Sequence, residues 1–124
     1  MRDLESIFKA LAEETRLRIL SLLFRHGPMC VCEVEGLLGI TQSKASRHLR
    51  YMANAGLLEA ERDGVTVYYR LPVRPALELA AVLVMLRGLL AGHEVGDPRV
   101  EAGRLVQLRM ARGAATGNIP GAVE

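Results

Sequence analysis

The chain has 124 residues, of which 50% are hydrophobic and 24% charged, a balance that suits one folded domain and excludes a disordered polymer. Tryptophan is absent and aromatics are scarce, so the core has to be built from Leu, Val, Ala and Met. A net charge of only +2 excludes general stickiness for polyanions and turns attention to where the charge clusters.

Leu4, Ile7, Phe8 and Leu11 recur at helical spacing and predict a first helix over residues 4–12, facing inward on those side chains. This opening mixes acid with base and has no cleavable apolar stretch, so it does not read as a signal peptide and the chain reads as cytoplasmic. A second helix follows over 13–24, with Leu17, Leu20, Leu23 and Phe24 inward, and is broken by Gly27 and Pro28. Residues 32–38 read as a short third helix stopped by Gly39 in the left-handed position. Thr41 then caps a fourth helix, Gln42 to Asn54, its hydroxyl accepting from an amide of the first turn. Ala45, Leu49 and Met52 form its buried stripe, while Ser43, Ser46, Arg47 and Arg50 share the other face. Residues 41–50 contain Lys44, Arg47 and Arg50 and no acid. Two short helices joined by a tight turn, the second basic and serine-rich outside, match a helix-turn-helix. A charged face that merely meets solvent is the bland alternative.

The segment "LLEAERDGVTVYYRL" follows directly. Asp63-Gly64 tolerates the positive φ of a tight hairpin turn, and Val65, Val67, Tyr69 and Leu71 alternate with Thr66, Tyr68 and Arg70 as in a half-buried strand. A hairpin in that place is a wing, with Arg62 near its tip and in reach of phosphates or the minor groove. Residues 75–91 are apolar on almost every side, and such a helix needs cover on more than one face. A symmetry mate is the simplest cover. Its longest apolar run, 79–86, is far shorter than the roughly 20 residues a bilayer requires. Residues 98–112 predict a last helix bearing Arg99, Arg104, Arg109 and Arg112, and 113–124 read as a frayed tail. The expected fold is mainly α with a β-hairpin wing, a winged helix-turn-helix homodimer. Its DNA-binding and dimerisation domain covers 1–95, and a helical extension with a flexible tail covers 96–124.

In that order and spacing, "LAEETRLRIL", "CVCE", "TQSKASRHLRYMANAGLL" and "ERDGVTVYYRL" resemble the ArsR/SmtB family of metalloregulatory repressors over the first two-thirds of the chain. The resemblance implies a homodimer that sits on an operator and leaves it when an inducer binds. It implies dimerisation through the first and last main helices, which suits the apolar 75–91 segment. "CVC" resembles the sensing motif of the arsenical-resistance repressors, so Cys30 and Cys32 are the expected thiolate ligands for As(III) or Sb(III). Those repressors carry a third cysteine where this chain has Glu35. The family's zinc set on the last helix is not matched either, since His93 and Glu94 lie near there with no second histidine after them.

The residues constrain this expectation further. Soft thiolates favour As(III), Sb(III) or Cd(II) over Mg(II) or Ca(II), and Cd(II) or Zn(II) stand as the alternative inducers, with no organic cofactor expected. A helix N-terminus is expected to lower a thiol pKa. On a regular helix residues i and i+2 point about 200° apart, whereas in an extended segment they share a face. Gripping one ion therefore predicts extended backbone at the cysteines or an unwound first turn, which would move Arg47 and Arg50. Packing of both thiols as small hydrophobes and a labile disulfide are the competing readings, with His26 and Glu35 left as surface groups. On double-stranded DNA, Gln42, Ser43, Ser46 and Arg47 are expected at base edges of an inverted repeat, and Lys44, Arg50 and Arg62 at phosphates. His48 is expected to be partly packed, with a phosphate contact open to it. A thiol reductase using Cys30 and His26 is disfavoured by the one-residue spacing, and a protein-binding winged helix by the acid-free basic face.

Overall fold

The computed structural model describes residues 2–93 and 98–116. A first unit, up to residue 94, holds α1 (Arg2–Leu11), α2 (Glu14–His26), β1 (Met29–Cys30), α3 (Val31–Leu38), α4 (Gln42–Asn54), β2 (Glu59–Asp63), β3 (Thr66–Arg70) and α5 (Leu77–Ala91). A second unit contains one described helix, α6 (Pro98–Thr116).

The first unit is built around α2, which packs against α1, α3, α4 and α5. Ile19, Leu20 and Leu22 are fully buried there with Ala10, Val34, Ala45, Leu49, Met52 and Leu57. Burying each of the larger aliphatics stabilises the fold by about 1.5–3 kcal/mol. The stripe on α4 is the expected one, but those on α1 and α2 differ. Ile7, Ala10 and Leu11 face inward on α1, and Phe8 is 50% exposed. On α2 Ile19 and Leu22 join Leu20 and Leu23, while Leu17 and Phe24 are only half-buried. A helix enclosed by four neighbours buries a wider arc than a single stripe supplies, so periodicity alone misplaces its edges.

Three antiparallel strands in the order β1-β3-β2 make the wing. Asp63 pairs with Thr66, so the turn residues are Gly64 and Val65 rather than Asp63 and Gly64. Gly64 has φ of 65°, and no non-glycine residue among those described has positive φ. A positive first and a negative second central φ is the type II′ pattern, which requires glycine first. The one-residue difference leaves Val65 at the tip, 92% exposed. Tyr69 points inward as expected and is buried. The strand β1 was not anticipated: Met29 pairs with Tyr69 and Cys30 with Tyr68, which ties the cysteine segment to the hairpin.

With its α3–turn–α4 pair and hairpin, the first unit is a winged helix-turn-helix. The helix α5 begins at Leu77, two residues later than expected, and packs against α2 with Leu79 and Leu86 buried. Leu77 and Val84 on its other sides are 86% and 75% exposed. Among the described residues no helix is long and apolar enough to cross a membrane. The helix α6 runs to Thr116, beyond the expected stop at 112, so residues 113–116 are helical rather than frayed. The rest of the expected tail, 117–124, and the expected boundary at 95/96 lie outside the described residues.

Candidate nucleic-acid interface and thiol site

The presentation of α4 follows from two local devices. Gly39, at φ 67° and ψ 34°, ends α3 in the left-handed conformation that suits glycine, and its amide donates to the Glu35 carbonyl at 2.9 Å. Thr41 then caps α4, its Oγ1 accepting from the Lys44 amide at 3.2 Å. With Ala45, Leu49 and Met52 buried, Gln42, Ser43, Lys44, Arg47 and Arg50 are exposed, and Ser46 and His48 are half-buried. Arg62 is exposed on β2, opposite Val67. Across the hairpin Arg70 bonds Glu59 at 3.4 Å and also Glu61. Strand alternation sets Arg62 on the face opposite those two acids.

His48 is turned toward α2. Its Nδ1 lies 3.4 Å from Arg16 Nη1. A guanidinium only donates, so Nδ1 accepts and the ring proton belongs on Nε2. Burial lowers the imidazole pKa, the nearby Arg16, Arg47 and Lys44 lower it further, and Glu13 opposes them. Arg16 makes more contacts than His48 alone. Its Nε donates to the Ala10 carbonyl at 2.6 Å and its Nη2 to the Lys9 carbonyl at 3.3 Å. The guanidinium carbon stands 4.4 Å from the centroid of the Tyr51 ring. Glu13 caps α2 by accepting from the Arg16 amide at 2.9 Å. Partial burial pushes the Glu13 carboxyl up, but the Arg16 amide, His48 and the Arg16 charge outweigh it and hold the pKa below the usual range. Sequence reasoning passed over Arg16 and Tyr51. The available signal was a cation in the first turn of α2, where the helix dipole disfavours positive charge.

The two thiols meet. Cys30 is extended, at φ −92° and ψ 170°, and is the N-cap of α3, with Cys32 in the first turn. Their Sγ atoms are 2.8 Å apart, so the extended solution holds and no turn has to unwind. The two cysteines are not joined in a disulfide; Cys30 is buried and Cys32 exposed. The carboxylate of the fully buried Glu33 accepts from the Cys30 amide at 3.1 Å. This is one half of a capping box, a side chain at the third helical position reaching back to the N-cap amide. "CVCE" carried that signal, whereas Glu35, at the position of the missing third thiol, is half-buried. The Cys30 pKa is raised, against the expectation of a lowered thiol: the hydrogen bond with Cys32 is the main cause, followed by burial and the Glu33 charge.

Among the described residues no group of three or more His, Cys, Asp or Glu side chains is arranged to hold a metal. Two sulfurs bound at about 2.3 Å to one tetrahedral ion sit roughly 3.8 Å apart, so these thiols need to part by only about 1 Å. The donor set fits a thiol-seeking ion that takes two protein sulfurs and completes its shell from solvent or a small thiol. It does not supply the four ligands of a structural zinc-type site within one protomer. Of the His93 and Glu94 pair, Glu94 lies outside the described residues.

Residues 13–60 match the family described as bacterial regulatory protein, arsR family. The chain is 48% identical over 65 residues to the arsenic resistance transcriptional regulator ArsR1 of Pseudomonas putida, a match covering 52% of this chain and 51% of that protein. It is 41% identical over 71 residues to the arsenical resistance operon repressor of Bacillus subtilis, covering 57% of this chain and 68% of that one. The chain thus spans about half to two-thirds of the length of these curated relatives. Among solved structures it resembles the homodimeric winged helix-turn-helix DNA-binding domain from Mycobacterium bovis, with TM-score 0.61 and 29% identity over 74% of this chain and 82% of that chain.

Proposed function

The chain belongs to the arsR family of bacterial regulatory proteins, and from that premise we propose that it is a cytoplasmic, homodimeric DNA-binding repressor whose inducer is As(III) or Sb(III). The observation that carries the inducer reading is the pair of thiols 2.8 Å apart at the junction of β1 and α3. The relatives from Pseudomonas putida and Bacillus subtilis are named for arsenic and arsenical resistance, which supports the same class of ion.

Gln42, Ser43, Ser46 and Arg47 meet base edges in the major groove, and Lys44 and Arg50 meet flanking phosphates. Arg62 on the wing reaches the backbone beside the half-site. Two copies related by a twofold axis read an inverted repeat with half-sites about 34 Å apart. The exposed Leu77 and Val84 of α5 supply apolar surface for pairing, and the homodimeric state of the Mycobacterium bovis domain supports this assembly.

Cys30 and Cys32 hold the ion. Because Cys30 sits in the wing sheet and Cys32 on α3, which packs against α4, a bound ion links both halves of the DNA reader at one point. Parting the two sulfurs shifts α3 against β1, and with it the angle between α4 and the wing. This route replaces helix unwinding, which the extended Cys30 makes unnecessary.

The DNA-binding part is tested with duplexes selected by the wild-type protein from a random-sequence pool. Arg47→Ala lowers affinity for the selected duplex by about 1–3 kcal/mol and relaxes its sequence preference. Lys44→Ala weakens selected and scrambled duplexes alike and reduces the salt slope by about one. Selection of no duplex, or full specificity in Arg47→Ala, counts against this assignment.

A further inference from the structure

We infer that Arg16 is the positioning residue of the recognition helix, holding α4 at a fixed rotation on α1 through His48 and Tyr51. The inference rests on the DNA-binding reading of α4 and goes beyond it, because Arg16 is on α2 and outside the face that reads DNA.

The guanidinium is anchored first. Its Nε and Nη2 donate to the carbonyls of Ala10 and Lys9, at 2.6 and 3.3 Å, in the last turn of α1, where the Lys9 carbonyl also accepts from the Ala12 amide at 3.3 Å. Its Nη1 then faces His48 Nδ1 at 3.4 Å, and its planar face covers Tyr51 at 4.4 Å. His48 and Tyr51 are three residues apart on α4 and so share one side of it, each directly following one of Arg47 and Arg50 in sequence. A contact to both fixes how far α4 is rolled, and so where Gln42, Ser43 and Arg47 point. Lysine cannot do this: it has no fork to hold a carbonyl and an imidazole together, and no plane to stack. The charged and titratable groups facing His48 are Glu13 and Arg16 from α2 and its cap, and Lys44 and Arg47 from α4 itself. A protonated His48 has no lone pair at Nδ1 and repels three of those four, so acidification releases the same contact.

The test measures Kd for the selected duplex and a scrambled one, across salt and between about pH 5.5 and 8, for wild type, Arg16→Lys and His48→Asn. Asparagine presents an acceptor near the place of Nδ1 and does not titrate. Arg16→Lys is expected to lose about tenfold or more on the selected duplex, with scrambled binding and salt slope unchanged. Wild type is expected to lose specificity as the pH falls, and His48→Asn to keep it. Equal loss on both duplexes with a smaller salt slope would make Arg16 a phosphate contact, and an unchanged Arg16→Lys would remove any role. Tighter wild-type binding at low pH, absent in His48→Asn, would make His48 a phosphate ligand and overturn the inference. If Arg16→Lys does not fold by circular dichroism, the wild-type and His48→Asn pH series decides. A wild type that selects no duplex sinks the DNA-binding reading itself, a separate result from loss of the Arg16 effect.

Discussion

At Cys30 a single extended residue decides whether two thiols can share an ion. Its ψ of 170° turns the i and i+2 side chains to one side, where a helical Cys30 would set them on opposite sides. Glu33 holds this conformation by accepting from the Cys30 amide while itself fully buried. Glu33→Ala leaves that amide without its acceptor and is expected to destabilise the fold by about 2–3 kcal/mol, with Glu33→Gln costing less; urea denaturation midpoints measure both. A second residue-scale expectation concerns acid. The His48 pKa is lowered by burial first, and that of Glu13 is lowered by the Arg16 amide, His48 and Arg16 against a raising effect of burial. For groups with depressed values in the folded state, stability is full above the unfolded values, about 6.5 for His and 4.3 for Glu, and is lost as the pH falls through the folded ones. Stability should therefore decline from about pH 6.5 downward in two stages. His48→Asn should remove the upper stage and Glu13→Gln the lower. An acid limb unaltered in both variants would contradict these assignments.

Among the elements, α4 was legible in full because its cap, its stripe and its basic face repeat within thirteen residues. Thr41→Ala should cost about 1 kcal/mol through loss of the cap to the Lys44 amide, read as a lower denaturation midpoint with an unchanged m-value. The hairpin was legible, but its turn was misplaced by one residue. Asp63 and Gly64 both tolerate positive φ, and only the pairing of Asp63 with Thr66 settles which residue takes it. Gly64→Ala should cost about 1–2 kcal/mol from the left-handed strain, measurable by the same denaturation. The two-residue β1 could not be read, since alternation over two positions carries no period. The inward faces of α1 and α2 were partly misread because several neighbours share them. The extended Cys30 decides between two options, extended backbone or an unwound first turn, that were foreseeable from spacing alone. The raised pKa of Cys30 was not, because it arises from a partner thiol, burial and a buried carboxylate. Arg16 stayed hidden for the same kind of reason: its acceptors lie on a different helix from its imidazole and ring partners.

For the whole molecule, the proposed function rests on three surfaces: the apolar sides of α5, the proposed DNA-reading face of α4 with the wing, and the thiol pair between β1 and α3. Val84 is 75% exposed, so Val84→Glu should leave the protomer folded while shifting sedimentation from dimer to monomer. Since a single protomer holds DNA poorly, the same variant should bind the selected duplex far more weakly. A folded Val84→Glu dimer with full affinity would move the dimer contact off this part of α5. The most direct test of the central claim is release of the protein from its selected duplex, titrated with arsenite and antimonite for wild type, Cys30→Ser and Cys32→Ser. The account predicts stoichiometric release of wild type and retention of both single variants on DNA, with zinc ineffective. Release of either serine variant at the same arsenite concentration as wild type would contradict it, as would a wild type that leaves DNA only on treatment with an oxidant.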